Sequence, residues 1–395
     1  MKEYILRPDF KWNTNNGYVV LENNKGDVFF LTKLEATIVY LVSIGKTMEE
    51  AQDLLTIINK STKNIKVSDI IERMGHFLVD KKTENAFIQI DSKKTIDIFK
   101  IKSLRFIPEN ERKNYPRYIS WRITNQCNRD CKYCYAYERK DDKRTKTSYW
   151  EKLIYEANEA GVKGFLLTGG DPLMADHIVD IIGKILMFDM SVTLLTKNKL
   201  PESLIISDPS LLHIVFSLDT TIEEKANWIT GSCDYYETIT DSMKKLSEKD
   251  FPFSIQMTVI KPLLHSTFES IKELLLYHPK TIKINRFEAV GKKEIDKAFY
   301  ISDAEWMDFI SGLNSIELNQ TKLIVSPVEH LENSCIAGTV RLSMNQNGDY
   351  IICDVLDNNM AFGNINDTKI LDVWNSADYI SKCYQMRGEC HASDI

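Results

Sequence analysis

The chain has 395 residues, of which 43% are apolar and 27% charged, and its formal net charge is −6. This length predicts two or three domains rather than one. The mild acidity argues against a general nucleic-acid-binding protein, which would carry a basic face. No apolar run approaches the roughly 20 residues that span a bilayer, and the first residues lack a signal-peptide core. We therefore expect a cytoplasmic protein that binds neither nucleic acid nor membrane.

The cysteines are unevenly placed along the chain. Three of the eight lie within residues 127–134 and four follow residue 334, which leaves Cys233 apart from both groups. In a reducing compartment cysteines rarely form disulfides, and clusters of them more often bind metal or take part in catalysis. Metal binding or catalysis is therefore expected at both groups.

Residues 1–91 have the pattern of a small domain. Two short strands, Gly17–Glu22 and Asp27–Leu31, flank Asn23-Asn24-Lys25-Gly26, which is a strong hairpin signal. Three helices, each with one apolar face, are predicted to begin near Thr32, Thr47 and Ser68. A last strand is predicted at residues 86–90. A hairpin with three helices and a further strand is typical of a winged helix-turn-helix domain.

The charge of this small domain bears on what it binds. Residues 1–92 contain 12 Lys and Arg against 13 Asp and Glu, whereas phosphate binding would require a basic excess. The charge therefore does not favour the alternative of a DNA-binding regulator. The pattern resembles the peptide-recognition (RRE) domains of peptide-modifying enzymes and the small leader-binding protein of pyrroloquinoline quinone biosynthesis. This resemblance implies that an extended leader peptide adds to the hairpin edge as a strand; a purely structural cap is the other alternative.

Residues 92–116 predict a linker, and from Tyr118 onward strand and helix patterns alternate. This alternation predicts a parallel α/β sheet, with chemistry beyond the carboxyl ends of its strands. Six strands are expected, at residues 118–124, 164–168, 191–196, 214–218, 254–260 and 281–287. Helices are expected at about 148–160, 176–188, 235–248, 267–277 and 303–312, with a short one near 201–212.

The loop after the first of these strands carries Cys127, Cys131 and Cys134. Three thiolates are one ligand short of a closed tetrahedral zinc site, but an iron–sulfur cube held by three cysteines keeps one iron open. The spacing Cys-x3-Cys-x2-Cys, with Tyr133 before the third cysteine, resembles the motif of radical S-adenosylmethionine (radical SAM) enzymes. The resemblance implies a [4Fe-4S] cluster whose open iron binds S-adenosylmethionine. A zinc knuckle completed by a distant ligand is the alternative.

The second strand runs into the sequence Gly169-Gly170-Asp171-Pro172. Two glycines let the backbone approach a ligand closely, and proline stiffens the exit from the turn. The turn resembles the Gly-Gly-Glu-Pro motif of radical SAM enzymes, which binds the amino group of the methionine moiety. Asp171 stands where that family usually has Glu. A plain turn between strand and helix is the alternative.

Polar residues also follow three later strands. They are Thr196 and Asn198 after the third strand, Ser217 and Asp219 after the fourth, and Asn285 on the sixth. By resemblance to the family, these residues and Tyr133 are expected near the bound S-adenosylmethionine. Polar residues are otherwise common at strand ends as caps. Cys233, in the connection after the fourth strand, is either an ordinary thiol or a hydrogen-atom donor.

The C-terminal segment begins with Cys335. Residues 340–344 and 350–353 flank an Asn-Gly turn, and this predicted hairpin brings Cys335 and Cys353 to the same end. The spacing Cys-x12-Gly-x4-Cys resembles the start of the SPASM extension of radical SAM enzymes. Only Cys383 and Cys390 follow, so the resemblance is to the shortened twitch form. It implies one auxiliary cluster, [4Fe-4S] or [2Fe-2S], held by these four cysteines; structural zinc is the alternative.

The expected fold is α/β: a partial (β/α)6 TIM barrel, an N-terminal winged helix-turn-helix domain and a C-terminal cysteine-rich hairpin and helix extension. The expected domains are residues 1–91 for peptide recognition, 92–116 as linker, 117–320 for the barrel and 321–395 for the auxiliary cluster. The resemblance implies an oxidoreductase that cleaves S-adenosylmethionine reductively to a 5′-deoxyadenosyl radical. The two flanking domains imply a ribosomally made precursor peptide (a RiPP precursor) as its substrate.

Oxidative cross-linking of this peptide is the expected reaction, since an auxiliary cluster can accept the electron that remains after hydrogen abstraction. The first choice is a thioether between a cysteine sulfur and a carbon, as in sactipeptide maturases, with electrons from a flavodoxin- or ferredoxin-type reductant. Carbon–carbon or carbon–oxygen cross-linking and epimerisation of the peptide are alternatives. A cofactor-biosynthesis enzyme acting on a small molecule is a further alternative.

Overall fold

A computed structural model describes most of the chain. The described residues are 4–15, 18–43, 45–58, 66–80, 112–136, 149–205, 208–289, 295–313, 315–325, 337–354 and 360–386. Within these ranges, residues 4–80 and 376–386 form one compact unit, and residues 112–325 and 337–375 form another. Of the helices in these ranges, none has the length and apolarity needed to cross a bilayer.

The first unit contains two small antiparallel sheets. Its strands are β1 (Tyr4–Leu6), β2 (Phe10–Asn15), β3 (Tyr18–Asn23), β4 (Val28–Phe30) and β5 (Leu78–Asp80). β1 pairs with β5, and the other sheet has the order β2–β3–β4. The Asn23 side chain shapes the turn after β3, because its Oδ1 accepts from the backbone N–H groups of Lys25 and Asp27 at 2.9 Å each.

Four helices complete this unit. They are α1 (Lys33–Ser43), α2 (Met48–Ile58), α3 (Val67–Arg73) and, far along the chain, α12 (Ala377–Met386). Thr32 and Glu35 form a capping box at the start of α1, with backbone-to-side-chain bonds of 3.1 and 3.0 Å. α12 lies beside β4, and its Tyr384 hydroxyl donates to Glu35 Oε1 at 2.6 Å. The Tyr384 ring meets the Phe77 ring edge-on at 5.0 Å.

The predicted hairpin and the three predicted helices of this unit are present. β3 and β4 flank the expected turn, and α1, α2 and α3 begin within one residue of their predicted caps. The sequence did not predict β1, β2 or β5, because two of them have only three residues and alternation is not visible over so short a length. The strand predicted at 86–90 and nearly all of the predicted linker lie outside the described residues.

The second unit is built on a nine-stranded sheet. Its strands are β6 (Tyr118–Thr124), β7 (Gly164–Gly169), β8 (Ser191–Thr196), β9 (Leu212–Ser217), β10 (Phe253–Val259), β11 (Thr281–Arg286), β12 (Lys322–Val325), β13 (Arg341–Met344) and β14 (Tyr350–Ile351). The order is β12–β11–β10–β9–β8–β7–β6–β13–β14. All neighbours are parallel except β13 and β14.

Helices connect the parallel strands, as a parallel crossover requires. They are α4 (Trp150–Glu159), α5 (Ile178–Met187), α6 (Glu202–Ile205), α7 (Glu223–Thr230), α8 (Tyr235–Glu248), α9 (Thr267–Leu274) and α10 (Asp303–Leu313), whereas α11 (Ile370–Trp374) follows the last strand, β14. Short 3-10 turns occur at Pro172–Met174, Lys261–Ser266, Leu275–Tyr277 and Lys297–Phe299.

The two faces of this sheet differ in polarity. Alternate strand residues such as Trp121, Leu194 and Phe216 are apolar and fully buried. The residues between them include polar side chains that are only partly buried, such as His213 and Gln256. Because side chains alternate between the faces of a sheet, one face is an apolar core and the other is polar.

All six predicted barrel strands are present, each within two residues of its predicted bounds. The mixed α/β fold with a parallel sheet, predicted as a partial TIM barrel, is confirmed. The predicted C-terminal hairpin is β13 and β14, and β13 extends the barrel sheet by pairing with β6. The sequence missed this pairing, because a hairpin pattern does not specify which other strand it joins. It also missed α7 and β12.

Candidate metal centre

The cysteine loop follows β6 at the carboxyl end of the parallel strands. Cys131 is buried, with 7% of its surface exposed, whereas Cys127 and Cys134 are half-buried. The Cys134 backbone N–H donates to the Cys131 carbonyl at 3.1 Å, so the second half of the loop is a tight turn. The predicted ligands therefore lie where a partial barrel exposes its functional end.

The backbone of this loop is bonded to the end of α7. Asp130 N–H donates to the Thr230 carbonyl at 2.8 Å, and Lys132 N–H donates to the Ile229 carbonyl at 2.9 Å. Gly231 then turns with a φ of +63°, and a Cβ there would meet the Asp130 Cβ at 3.1 Å. The end of a helix that the sequence did not predict thus supports the loop.

Arg129 forms a second anchor for the loop, because its side chain is buried. Its Nη1 group donates to the Ser232 hydroxyl and to the Asp234 carboxylate, and its Nη2 group donates to Asn198 Oδ1 at 3.3 Å. Its guanidinium carbon also lies 5.5 Å from the ring centre of Tyr235. Asn198, a predicted site residue, is therefore beside the cysteine loop.

The glycine turn after β7 packs against the first part of the loop. Gly170 N–H donates to the Thr124 carbonyl and Asp171 N–H to the Gln126 carbonyl, both at 2.7 Å. A Cβ on Gly169 would lie 2.3 Å from the Thr124 oxygen, and one on Gly170 would lie 2.1 Å from the Gln126 oxygen. Both positions therefore require glycine because the turn lies so close to the loop backbone. The sequence had instead predicted glycine here for close approach to a ligand.

Asp171 connects the glycine turn to the end of β8. Its buried carboxylate accepts from the Thr196 hydroxyl at 2.9 and 3.0 Å, from Lys197 N–H at 2.7 Å and from Leu173 N–H at 3.0 Å. The last of these bonds caps the 3-10 turn that Pro172 begins. Burial raises the pKa of Asp171 although these donors oppose the shift. Contact of Asp171 with S-adenosylmethionine stays a prediction.

Half-buried Tyr133 and Lys197 form a polar network with buried Asp219 at the cysteine loop. The Tyr133 hydroxyl donates to Asp219 Oδ2, and Lys197 Nζ lies 3.4 Å from the same oxygen and 3.3 Å from the Tyr133 oxygen. Lys197 also donates to the Ser217 carbonyl at 2.9 Å. Asp219 Oδ1 accepts from Thr258 N–H at 2.7 Å. The network therefore joins the loop to the ends of β8, β9 and β10.

The pKa shifts of Tyr133 and Lys197 keep both groups protonated at neutral pH, as their hydrogen bonds require. Burial and the Asp219 carboxylate raise the pKa of Tyr133 well above its usual value. Burial alone would lower the pKa of Lys197, but Asp219 and the neighbouring phenols raise it well above its usual value. Tyr133 thus keeps its proton to donate, and Lys197 keeps its charge.

Two of the predicted contact residues lie on the polar face of the sheet. Ser217 is half-buried, and its hydroxyl makes no hydrogen bond to a described residue. Asn285 is half-buried and pairs in register with Thr258. The next residue, Arg286, instead donates to Asp303 Oδ1 at 2.6 Å. Ser217 ends β9 and Asn285 lies near the end of β11, and β10 separates these two strands. Contact of either residue with S-adenosylmethionine stays a prediction.

The donor set of the loop fits an iron–sulfur cluster. Burial raises the pKa of the Cys131 thiol to about 12, so without a cation this ligand would stay protonated, and metal binding supplies the charge that stabilises the thiolate. Within the described ranges, no three His, Cys, Asp or Glu side chains are placed to share one metal ion. In a cubane cluster, by contrast, each thiolate binds a separate iron.

The remaining cysteines are partly described. Cys233 is exposed, and its carbonyl accepts from the Asn227 side chain at 3.0 Å. Cys353 is half-buried just after β14, and Cys383 is buried on α12. Cys335 and Cys390 lie outside the described residues. The auxiliary ligand set of Cys335, Cys353, Cys383 and Cys390 stays a prediction.

Two family models match the chain. The model of the radical SAM superfamily matches residues 121–275, which contain the cysteine loop, the glycine turn and the ends of β8 and β9. The SPASM model, described as an iron-sulfur cluster-binding domain, matches residues 335–393. The chain therefore carries a radical SAM domain followed by a SPASM domain. The predicted radical SAM class, an iron–sulfur protein dependent on S-adenosylmethionine, and the predicted SPASM-type extension are thereby confirmed.

Curated relatives resemble parts of this radical SAM protein. The "Probable GTP 3′,8-cyclase" of Pyrococcus abyssi is 29% identical over 35% of this chain and 46% of its own length. The "PqqA peptide cyclase" of Bradyrhizobium diazoefficiens is 25% identical over 38% of this chain and 41% of its own length. The chain therefore spans about half the length of these relatives.

A solved structure resembles nearly the whole chain in fold. The crystal structure of Streptococcus suis SuiB bound to precursor peptide SuiA aligns with a TM-score of 0.60 and 16% sequence identity. The alignment covers 96% of this chain and 90% of that one. At this identity the likeness concerns the fold.

Sequence reasoning missed Arg129, Lys197, Tyr235 and Thr258 as parts of the site. Lys197 lies between the two predicted residues Thr196 and Asn198, so the sequence located this strand end but did not predict a role for the lysine. Arg129 lies in a charged loop where solvent exposure is the ordinary expectation for arginine. The only available signal was that strand-end residues converge at one edge of a parallel sheet.

Proposed function

We propose that this protein is a radical SAM peptide maturase that oxidatively cross-links a ribosomally made precursor peptide. The observation that carries the proposal is the cysteine loop, with its three thiols held at the carboxyl end of a parallel sheet beside polar strand ends. The match to the radical SAM superfamily over residues 121–275 supports the same reaction class.

The residues of the loop have separate tasks in this proposal. Cys127, Cys131 and Cys134 hold a [4Fe-4S] cluster with one open iron. When bound, this cluster supplies the electron that cleaves S-adenosylmethionine to methionine and a 5′-deoxyadenosyl radical. The remaining proposed contacts orient S-adenosylmethionine: the backbone at Gly169 and Gly170, the Ser217 hydroxyl and the Asn285 amide. Polar groups fixed on rigid strand ends hold a ligand with little reorganisation.

The case for a peptide substrate rests on a likeness in fold and on the properties of the N-terminal unit. SuiB, whose fold aligns with 96% of this chain, was solved with its precursor peptide. In our proposal the N-terminal unit binds the leader, since its charge balance does not favour nucleic acid. The three-stranded sheet has the edge strands β2 and β4, and an extended peptide can add to such an edge.

The bond formed is proposed to be a thioether between a cysteine sulfur and a carbon of the peptide. Its formation removes two hydrogen atoms: the radical abstracts one from carbon, and the other leaves as the proton of the cysteine thiol and one electron. An auxiliary cluster on Cys335, Cys353, Cys383 and Cys390 is the proposed acceptor, and a flavodoxin- or ferredoxin-type protein the proposed donor to the first cluster. Carbon–carbon or carbon–oxygen cross-linking removes the same two hydrogen atoms. Alkylation of the precursor cysteines distinguishes these products, because only a thioether consumes a cysteine thiol.

The test uses the anaerobically reconstituted protein with S-adenosylmethionine, dithionite and a synthetic precursor peptide encoded beside its gene. We expect 5′-deoxyadenosine and a peptide lighter by two hydrogen atoms. The variant with Cys127, Cys131 and Cys134 all changed to Ala should form neither product, whereas Cys233→Ala should form both. A peptide whose mass is unchanged in H2O but rises by one deuterium in D2O would replace cross-linking by epimerisation, and would implicate Cys233 if Cys233→Ala lost that uptake.

A small-molecule substrate is the second candidate. Its support is the similarity to a probable GTP 3′,8-cyclase over about a third of the chain. This candidate predicts that nucleotides, rather than peptides, stimulate 5′-deoxyadenosine formation. Deleting residues 1–80 should then leave stimulation by the nucleotide intact, whereas stimulation by a peptide should be lost.

A further inference from the structure

We propose that Lys197 and Asp219 are positioning residues for the cysteine loop. They fix Tyr133, and they place a largely buried ammonium group beside the cysteine loop that raises the reduction potential of the cluster. The inference rests on the proposed function, because it requires a cluster on the three cysteines.

Asp219 is held from two strands at once. The residue follows β9, and its Oδ1 accepts from the Thr258 N–H on β10 at 2.7 Å. Its Oδ2 accepts from the Tyr133 hydroxyl and faces Lys197 at 3.4 Å. Both carboxylate oxygens are thus engaged within the protein. The side chain acts as a fixed acceptor for the loop rather than as a free group for a ligand.

Tyr133 transmits this fixation to the ligands. The residue lies between Cys131 and Cys134, and the turn that contains it is closed by the 3.1 Å bond from Cys134 N–H to the Cys131 carbonyl. Its ring also packs near Phe287, with 6.4 Å between the ring centres. Because the ring and its hydroxyl are both held, the direction of the two flanking cysteines is set by strands β9 and β10.

Lys197 contributes charge as well as hydrogen bonds. Its ammonium donates to the Ser217 carbonyl at 2.9 Å, and 15% of its side chain is exposed. The ammonium nitrogen lies 3.3 Å from the Tyr133 hydroxyl oxygen and 5.8 Å from the centre of the Tyr133 ring. The charge is therefore next to the residue that stands between Cys131 and Cys134. Reduction adds negative charge to a cluster, and a nearby cation in a medium of low dielectric constant favours that reduced state.

Stability of the fold does not explain this pair. Asp219 has a side-chain exposure of 1%, so both members of the pair lose most of their hydration. Such buried pairs often stabilise a protein no more than apolar residues of similar size would. This ion pair is bonded to strand ends and to Tyr133 of the cysteine loop. Positioning of that loop explains the pair better than fold stability does.

The first test compares two substitutions that should act in opposite directions. Lys197→Met removes the cation and should lower the midpoint potential of the cluster in an EPR-monitored titration. Asp219→Asn leaves the cation uncompensated and should raise it. We expect each reduced-to-oxidised ratio at fixed potential to change about tenfold, which corresponds to about 59 mV for one electron. Tyr236→Phe, which removes a hydroxyl that donates to Glu273 at 3.4 Å, should leave the potential unchanged.

A merely structural pair would give a different result. In that case both substitutions would lower iron content without opposite shifts in potential, and this outcome would overturn the inference, as would unchanged potentials in both variants. If wild-type protein binds no cluster after reconstitution, the proposed function fails instead. Iron content and the EPR signal of wild-type protein therefore separate the two failures.

The second test applies if either variant fails to fold. Tyr133→Phe removes only the hydroxyl that reaches Asp219, and Tyr236→Phe is its matched control, because it removes a hydroxyl that donates to the Glu273 carboxylate. We expect Tyr133→Phe to release iron to a chelator about tenfold faster than wild-type protein, because the loop loses its link to β9 and β10. Its EPR g values should also change. Equal release rates and spectra in the two variants would contradict the positioning role of Asp219.

Discussion

Two cysteine-bearing segments of the second unit are held by contacts of different quality. In the loop at residues 127–134, backbone groups bond directly to the end of α7 and to the glycine turn, at 2.7 to 2.9 Å. Cys353 instead precedes Asp354, whose contacts are longer. The Thr168 hydroxyl lies 3.4 Å from Asp354 Oδ2, and Arg341 lies 4.0 Å from Oδ1.

This difference indicates how far each segment is ordered before it binds metal. The first loop has its shape fixed by short backbone bonds and by glycines that admit no side chain, so its cysteines are placed before any metal binds. The segment with Cys353 follows a two-residue strand, and the side-chain contacts that Asp354 makes with Thr168 and Arg341 are longer. Such contacts are weaker, so we expect metal binding to contribute more of its order.

The largest effect on stability is expected from Gly170→Ala, because the new side chain would clash with the backbone of the first loop. The new Cβ would lie 2.1 Å from the Gln126 oxygen and 2.6 Å from the Asn125 oxygen, and both are backbone atoms that cannot move alone. We expect a loss of about 3 kcal/mol in the free energy of unfolding, measured with denaturant.

Gly183→Ala is the matched control for this change. Gly183 lies inside α5, and a Cβ there would meet nothing within 4 Å. Because alanine favours a helix interior, this variant should gain about 1 kcal/mol. A Gly170→Ala variant as stable as Gly183→Ala would show that the loop is not packed as tightly as described.

An intermediate effect is expected when iron is removed with a chelator and hydrogen exchange is followed. The amides of Asp130, Lys132, Gly170 and Asp171 should keep their protection, because their acceptors belong to the protein. Peptides covering residues 351–354 should exchange roughly tenfold faster than in the loaded protein. Equal loss of protection in both segments would remove the distinction between them.

The smallest effect concerns Cys383, which lies beside Tyr384 on α12. Tyr384→Phe removes the hydroxyl that donates to Glu35 at 2.6 Å. The free energy of unfolding should fall by about 1 kcal/mol. Tyr155→Phe is the control, because Tyr155 is exposed and its hydroxyl meets only the exposed Lys184. If the two variants are equally stable, the Tyr384 bond does not anchor the helix that carries Cys383.

The sequence predicted the barrel strands well because each is an apolar or alternating run between turn residues, and such patterns depend on local spacing alone. It also located the cysteine loop and the strand ends. It missed what lies between them: the bond of Asp130 to α7, the burial of Arg129 and the contact of Tyr133 with Asp219. These contacts join residues about 90 to 105 positions apart, and no local pattern carries that information.

The placement of α12 has a consequence for how the protein is made. β4, Glu35 and Phe77 precede by 300 residues or more the helix that packs beside them, which begins at Ala377. The first unit is therefore completed only after residues 112–375 of the second unit have been synthesised. A nascent chain that stops before residue 377 would expose apolar surface on this unit, which gives chaperones and proteases a way to distinguish unfinished chains from finished ones.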